Sequence, residues 1–172
     1  MTHSPAASDQ PYDVVILGGG SGGYSCALRA AQLGQKVLLI EKGKLGGTCL
    51  HQGCIPTKAL LHAAEVADAT RESEQFGVKA EFGGIDMTAV NAYKEGVTSR
   101  LYSGLKGLLG GDGITTVEGE GRLVSPNTVQ VGDRQYTGRN IVLATGSAPR
   151  SLPGLDIDHQ KVINSDDALQ LD

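Results

Sequence analysis

Apolar residues in this chain fall into two kinds of pattern, short runs and wider helical spacings, and each predicts its own elements. YDVVIL at 12–17, KVLLI at 36–40 and NIVLA at 140–144 are short, mostly apolar runs bounded by glycine or polar residues. Such runs fit strands buried on both faces of a parallel sheet. Ser21 to Leu33 predicts a helix between the first two runs, stopped by Gly34, since glycine is favoured just past a last helical turn. Strand, helix and strand within about thirty residues form a βαβ unit with a right-handed crossover. Further on, Pro56 suits a first helical turn, and Thr57 to Ala69 is rich in helix formers, with Leu60, Leu61, Ala64 and Val66 apolar. Cys54 is thereby placed at a helix N-terminus. Met87 to Leu109 predicts another helix, with Val90, Val97, Leu101, Leu105 and Leu108 at near-heptad spacing. Gly96, Gly104 and Gly107 each weaken it by about 1 kcal/mol relative to alanine. From Ile114 to Tyr136 the pieces ITTVEG, GRLV, TVQVG and RQYT, divided by Pro126, Asn127, Gly132 and Asp133, predict a small antiparallel meander. The stretch 151–172 reads as connecting chain with a short helix near its end, and residues 1–11 read as a disordered tail.

Composition narrows the picture. A chain of 172 residues is long enough for one domain with its own core. With 25 glycines and no tryptophan, that core is built from Val, Ile, Leu and Ala. A net charge of −4 without a basic cluster gives no electrostatic footprint for nucleic acid or for an anionic membrane. The start, MTHSPAASDQP, has no Lys or Arg and no apolar stretch, unlike a secretory signal or a transit peptide. No apolar run approaches the ~20 residues of a membrane span. Three cysteines in such a chain suggest a reducing compartment, where a disulfide is catalytic more often than structural. The expected location is the cytoplasm.

Gly18, Gly20 and Gly23 satisfy GxGxxG directly after a predicted strand and at the opening of a predicted helix. The first glycine permits a tight turn, the second admits a pyrophosphate close to the backbone, and the third lets helix and strand pack. The phosphates would sit at the positive end of the helix. Glu41 follows about 20 residues on, where a carboxylate accepts hydrogen bonds from an adenosine ribose. It argues against a ribose carrying a phosphate, which it would repel. The pattern predicts a bound dinucleotide and leaves FAD and NAD both open.

Cys49 and Cys54 are separated by four residues, whereas zinc sites favour two, and no second pair exists to complete a metal site. His51 lies between them on a tight segment and His62 is two helical turns beyond Cys54, an arrangement ill suited to completing a zinc site. A redox disulfide is the better reading, and no metal is expected. At a helix N-terminus the Cys54 thiolate is stabilised by the helix dipole and free amides. Cys49 then faces entry, to exchange with a substrate thiol through a mixed disulfide. Cys26, among small residues of the first helix, reads as core. Lys58 follows Cys54 by one helical turn, and spacing alone describes a surface lysine. His3 and His159 read as surface or tail residues.

GGGSGG at 18–23, Glu41, GGTCLHQGCIPTKALL at 46–61, GEG at 119–121 and ATGSAP at 144–149 stand in one order, and in that order the chain resembles the FAD-dependent pyridine nucleotide disulfide oxidoreductases from Tyr12 onward. The resemblance implies an α/β fold: a Rossmann-like FAD-binding domain over 12–150, with a parallel sheet and a small antiparallel β-meander, followed by a connector over 151–172 toward an NAD-binding domain. It implies an FAD site at Gly18, Gly20, Ser21, Gly22, Gly23, Glu41 and Lys42, with Gly46, Gly47 and Thr48 along the diphosphate and flavin. Gly121 corresponds to a backbone contact at the adenosine end, and Thr145, Gly146 and Ser147 to the strand end beside the cofactor. Cys49 resembles the interchange thiol and Cys54 the thiol next to the flavin. Lys58 resembles a lysine near the flavin's reactive nitrogen, which reverses the reading from spacing.

The implied reaction passes electrons from a substrate dithiol through Cys49–Cys54 to FAD and then to NAD⁺. CIPTKALL looks closer to the members that oxidise a dihydrolipoyl group than to those acting on glutathione, mercuric ion or mycothione. The implied partner is the lipoyl group of a 2-oxo acid dehydrogenase complex, or a small thiol, and the implied assembly is a homodimer. After DDALQLD the family continues into a second glycine fingerprint for NAD and an interface domain that supplies a His–Glu base. The stretch in hand therefore reads as the first part of such an enzyme, expected not to turn over NAD⁺ by itself. Two other classes compete: a non-catalytic nucleotide-binding or thiol-exchange module, and an NAD-only dehydrogenase, which needs neither the cysteine helix nor the meander.

Overall fold

The computed structural model describes residues 11–171, so the tail expected over 1–11 lies, apart from Pro11, outside the described residues, as does His3. The chain forms two compact units, one from the chain up to Gly47 with Ser103–Ser147, the other from Thr48–Tyr102 with the chain from Ala148 onward.

The first unit is built on a sheet. β1 (Tyr12–Leu17), α1 (Ser21–Gln32) and β2 (Val37–Glu41) form the predicted βαβ unit, with Val14 paired to Val37 and Leu17 to Ile40 in parallel register. Gly34 ends α1 at φ +76°: its amide donates to Ala31 and that of Gln35 to Ala30, at 2.8 and 3.0 Å. This double bond to the last turn is a Schellman cap, and it needs the left-handed conformation that glycine adopts freely. β3 (Thr115–Glu118), β4 (Gly121–Ser125), β5 (Thr128–Val131) and β6 (Arg134–Leu143) complete a sheet of order β3-β2-β1-β6-β5-β4.

Two expectations are corrected there. ITTVEG does not join the meander; β3 pairs parallel with β2, Leu38 facing Thr115. Its Thr and Val residues suit any strand, and only the tertiary pairing decides which. RQYT and NIVLA are one strand. The first half of β6 pairs antiparallel with β5, Thr128 facing Thr137, and the second half pairs parallel with β1, Val15 facing Ile141. The changeover falls at Gly138, where a Cβ would stand 2.8 Å from Val15 Cγ2. Val15, Leu38, Ile40 and Val129, all wholly buried, pack with Tyr12 and Tyr136 on one side of the sheet. Leu38, Leu39 and Ile40 are consecutive and all buried, as expected for a strand covered on both faces.

The second unit is helical. α2 (Gly47–His51) leads into it, followed by α3 (Cys54–Arg71), a 3-10 turn at Ser73–Phe76 and α4 (Met87–Gly111), which belongs to this unit as far as Tyr102. α4 runs unbroken through its glycines, but its buried face differs from the near-heptad one. Lys94, Leu105 and Leu109 are buried while Leu101 and Leu108 are exposed. A spacing of 3.5 drifts off the face of a straight helix, whereas positions 94, 105 and 109 follow its 3.6 period. The Lys94 ammonium donates to Asn91 Oδ1 at 2.8 Å and to the Leu169 carbonyl.

The expected short terminal helix is α5 (Ser165–Ala168), started by a capping box in which Asn164 accepts from the amides of Asp166 and Asp167 while Asp167 accepts from that of Asn164. His159 Nδ1 lies 2.9 Å from Asp167 Oδ2, and Asp158 Oδ1 accepts from the amides of Gln160, Lys161 and Val162. The Val162 amide first, then those of Gln160 and Lys161, holds the Asp158 carboxyl below its ordinary value of 3.8. The Asn164 amide, then the His159 ring, does the same for Asp167. A carboxylate whose pKa is depressed by folding adds stability that is complete above its unfolded value and lost as pH falls through the folded one. Segment 158–168 is therefore expected to hold its amide protection from neutral pH down to about 4 and to lose it below, read by NMR hydrogen exchange at Val162 and Asp167.

Candidate functional site

β1 delivers the chain to Gly18, which turns at φ +106° with its amide donating to the Ile40 carbonyl at 2.8 Å. A Cβ at Gly18 would collide with the Ala144 carbonyl, and one at Gly23 with the carbonyl of Gly18. The first and third glycines are thus required by the turn itself and by helix–strand contact. Gly20 and Gly22 differ: a Cβ at Gly20 would meet only Gly47 Cα, at an ordinary 3.8 Å, and one at Gly22 nothing within 4 Å. The fold does not need glycine at either position, and both leave the backbone open to a ligand.

Gly20 caps α1 without any side-chain hydrogen bond, and the first turn carries no acidic residue. Amides at the start of a helix have no partner within it. Together with the helix dipole they suit a phosphate. Glu41 closes β2 beside them. Its Oε2 accepts from the Gly19 amide at 2.6 Å and its Oε1 from that of Gly43 at 2.7 Å. A carboxylate has about four acceptor sites, so each oxygen keeps capacity for a ribose hydroxyl. The following loop folds back on the glycine turn: the Gly46 amide donates to Gly19 at 2.8 Å, and a Cβ on Gly47 would lie 2.7 Å from Gly20 Cα. This first unit therefore gathers Gly18–Gly23, Glu41, Gly46 and Gly47 at the C-terminal ends of β1 and β2, with Ala144 and Thr145 following β6 alongside. Ligands of open α/β sheets bind at that end, where the strand order reverses.

Gly19, Gly43 and Leu45 were not among the predicted residues. Gly19 is an unspecified position of GxGxxG that happens to be glycine, yet a Cβ there would stand 2.7 Å from Leu45 Cδ2. Nothing in GGGSGG separates it from its neighbours. Ser21 and Lys42 are exposed, as are Thr145, Gly146 and Ser147. Gly121 opens β4, where a Cβ would meet Leu17 Cδ1 at 2.5 Å and Val129 Cγ1 at 3.0 Å. Packing within the sheet thus accounts for glycine at that position.

Replacing Glu41 with alanine leaves the buried Gly19 amide without its acceptor, at a cost of about 1–3 kcal/mol. A fall of several degrees in Tm is expected, and a smaller one for Glu41→Gln, which keeps an acceptor oxygen.

The second unit carries the thiols. Cys49 lies in α2, a short helix the pattern did not predict because five residues show no period. Cys54 is the first residue of α3, and the two form a disulfide with Cα atoms 4.6 Å apart. Pro56 is buried in the first turn. Gly53 caps α3 with no side-chain bond and no acid follows in that turn, so the helix end favours a Cys54 thiolate. The junction is tight: a Cβ at Gly53 would come within 3.0 Å of the Thr48 carbonyl oxygen. Cys54, Thr48 and Lys58 are exposed, whereas Cys49 is half-buried. His51 ends α2 with its ring edge-on to Tyr102, centroids 5.2 Å apart. Cys26 is a free, half-buried thiol and not the core residue expected; Gly23 and Ala27 are the buried positions of α1.

The family model for pyridine nucleotide-disulphide oxidoreductases matches residues 12–172. Among curated proteins, a dihydrolipoyl dehydrogenase of Bacillus subtilis is 44% identical over 174 residues, covering 94% of this chain and 37% of the relative. That of Geobacillus stearothermophilus is 44% identical over 92% of the chain and 34% of its own length. Dihydrolipoyl dehydrogenase 1, mitochondrial, of Arabidopsis thaliana is 44% identical over 92% and 33%. The chain spans about a third of the length of these relatives.

Proposed function

Because the chain belongs to the pyridine nucleotide-disulphide oxidoreductase family, we propose that it is the FAD-holding and disulfide-bearing part of a dihydrolipoyl dehydrogenase. The observation that carries this reading is the Cys49–Cys54 disulfide with Cys54 at the uncapped start of α3, in a chain that also builds an anion-ready glycine turn.

The residues fit FAD. The α1 amides from Ser21 to Gly23 would hold the diphosphate, with Gly20 and Gly22 leaving room for its approach. Glu41 would accept the adenosine ribose hydroxyls while keeping Gly19 and Gly43 in place, and Lys42 would lie beside that end. Gly46, Gly47 and Thr48 would line the diphosphate and flavin, Lys58 would support the flavin's reactive nitrogen, and Thr145, Gly146, Ser147 and Gly121 would contribute backbone contacts. FAD, when bound, supplies a two-electron carrier between a dithiol and NAD⁺. The protein's own part is thiol exchange. A substrate thiolate attacks Cys49 Sγ, the S–S bond breaks, and Cys54 leaves as a thiolate stabilised by the α3 N-terminus; the second substrate thiol then displaces Cys49.

The substrate is a dihydrolipoyl group of a 2-oxo acid dehydrogenase complex. Within a protein of the relatives' length, residues 12–150 serve as the FAD-binding portion and 151–172 as the connector toward an NAD-binding domain, in a cytoplasmic homodimer. Among the described residues no helix is long and apolar enough to cross a membrane. The test is to pass the chain, mixed with FAD, through gel filtration and then add dihydrolipoamide or reduced glutathione. About one FAD retained per chain, with faster release of two thiols by dihydrolipoamide, is expected; an FAD-free protein peak would overturn the reading.

A further inference from the structure

α2 is too short to hold its own position, so something outside it must aim Cys49 at Cys54. In the oxidised chain the disulfide does this. Once the disulfide is reduced, the side-chain anchors left on α2 are Leu50, which is buried, and His51, whose ring stands at 74° to that of Tyr102 on α4. Thr48 and Cys49 also lie close to Gly53, and the Gln52 amide donates to the Thr48 carbonyl at 2.8 Å, but these contacts are local to residues 48–53. The ring contact lies two residues from Cys49 and three from Cys54, and it ties α2 to a long helix distant in sequence.

We propose that His51 and Tyr102 are positioning residues for the thiol pair, keeping Cys49 within reach of Cys54 after reduction so that the disulfide re-forms readily. The inference rests on the proposed redox role of that pair. Disulfide closure depends on how often the two sulfurs meet, and pre-orientation raises their effective concentration. Dithiothreitol reports it directly. One of its thiolates attacks a cysteine sulfur and the S–S bond breaks. Its second thiol displaces the mixed disulfide, so the reagent ends as a cyclic disulfide and both cysteines as thiols, with two electrons and two protons transferred. A contact that favours closure raises the equilibrium constant for the reverse reaction.

An edge-on aromatic contact contributes about 0.5–1.5 kcal/mol, which sets roughly 2- to 13-fold as the upper bound on the shift of this equilibrium toward the dithiol when it is lost. The experiment equilibrates the chain in dithiothreitol redox buffers and quantifies Cys49–Cys54 by alkylation and mass spectrometry. Tyr102→Ala is expected to shift the midpoint about fivefold toward the reduced form, and Tyr102→Phe, which keeps the ring, is expected to restore it. If Tyr102→Ala does not fold, His51→Gln removes the ring from the other side and carries the same expectation. Unchanged midpoints in folded Tyr102→Ala or His51→Gln, or a Tyr102→Phe midpoint as shifted as that of Tyr102→Ala, would overturn the positioning role while leaving the redox disulfide intact. A wild-type disulfide that does not exchange with dithiothreitol at all would overturn the redox role itself.

Discussion

Gly23→Ala is expected to destabilise the chain by about 3 kcal/mol, combining forced overpacking with the backbone strain needed to relieve it. The new methyl group would overlap the Gly18 carbonyl oxygen, with Ala144 Cβ 3.5 Å away on the other side. Neither neighbour is a flexible side chain. Relief requires α1 to lift from β1, and with it the turn that holds Gly19 against Glu41. A loss of roughly 6–12 °C in Tm is expected by differential scanning fluorimetry. Gly22→Ala is the matched control, since no atom outside its own helical turn lies within 4 Å of its Cβ and alanine is preferred to glycine in a helix. Its Tm should equal or exceed that of the wild type. FAD retention should nevertheless fall, because the methyl group would stand where the cofactor approaches the amides. A Gly22→Ala chain that holds FAD as well as the wild type would move the cofactor away from that turn.

Cys54→Ser is expected to abolish dithiol-dependent electron transfer while leaving the fold in place. The disulfide closes only a short loop, so its removal costs about 2 kcal/mol in the chain-entropy account. That is a few degrees in Tm, against complete loss of chemistry. A serine at the α3 N-terminus is also a good helix cap, which offsets part of the cost. Thiol titration after reduction should give two free thiols, Cys26 and Cys49, in place of three in the wild type. Cys49→Ser should show the same count and the same chemical loss, although only the Cys54 thiol then retains the stabilising helix end.

Local signals were legible wherever the sequence carries a local cause. YDVVIL is β1 to the residue, because a short, mostly apolar run closed by glycine and followed by a helical pattern fits a buried strand. The α1 stop was legible because Gly34 alone supplies the left-handed cap. Partner choice was not legible. ITTVEG looked like its neighbours 121–125 and 128–131, yet it joins β2 on the far side of the sheet. Likewise, nothing local shows that β6 serves two sheets' worth of pairing through Gly138. The α4 face was misread because a 3.5 spacing and a 3.6 spacing agree over one turn and diverge over five. In the candidate site, the motif glycines and Glu41 were visible as residues, but the Glu41 carboxylate bonded to the chain's own amides was not. That contact joins positions 22 residues apart and has no pattern along the chain.

One chain is expected both to bind FAD and to reduce it through Cys49–Cys54. The most direct measurement is the visible spectrum of the FAD-loaded chain, taken anaerobically before and after one equivalent of dihydrolipoamide, with Cys54→Ser beside it. A new long-wavelength absorbance is expected in the wild type and none in the variant. Release of two thiols with an unchanged free-flavin spectrum would contradict it, leaving a thiol-exchange module without flavin chemistry.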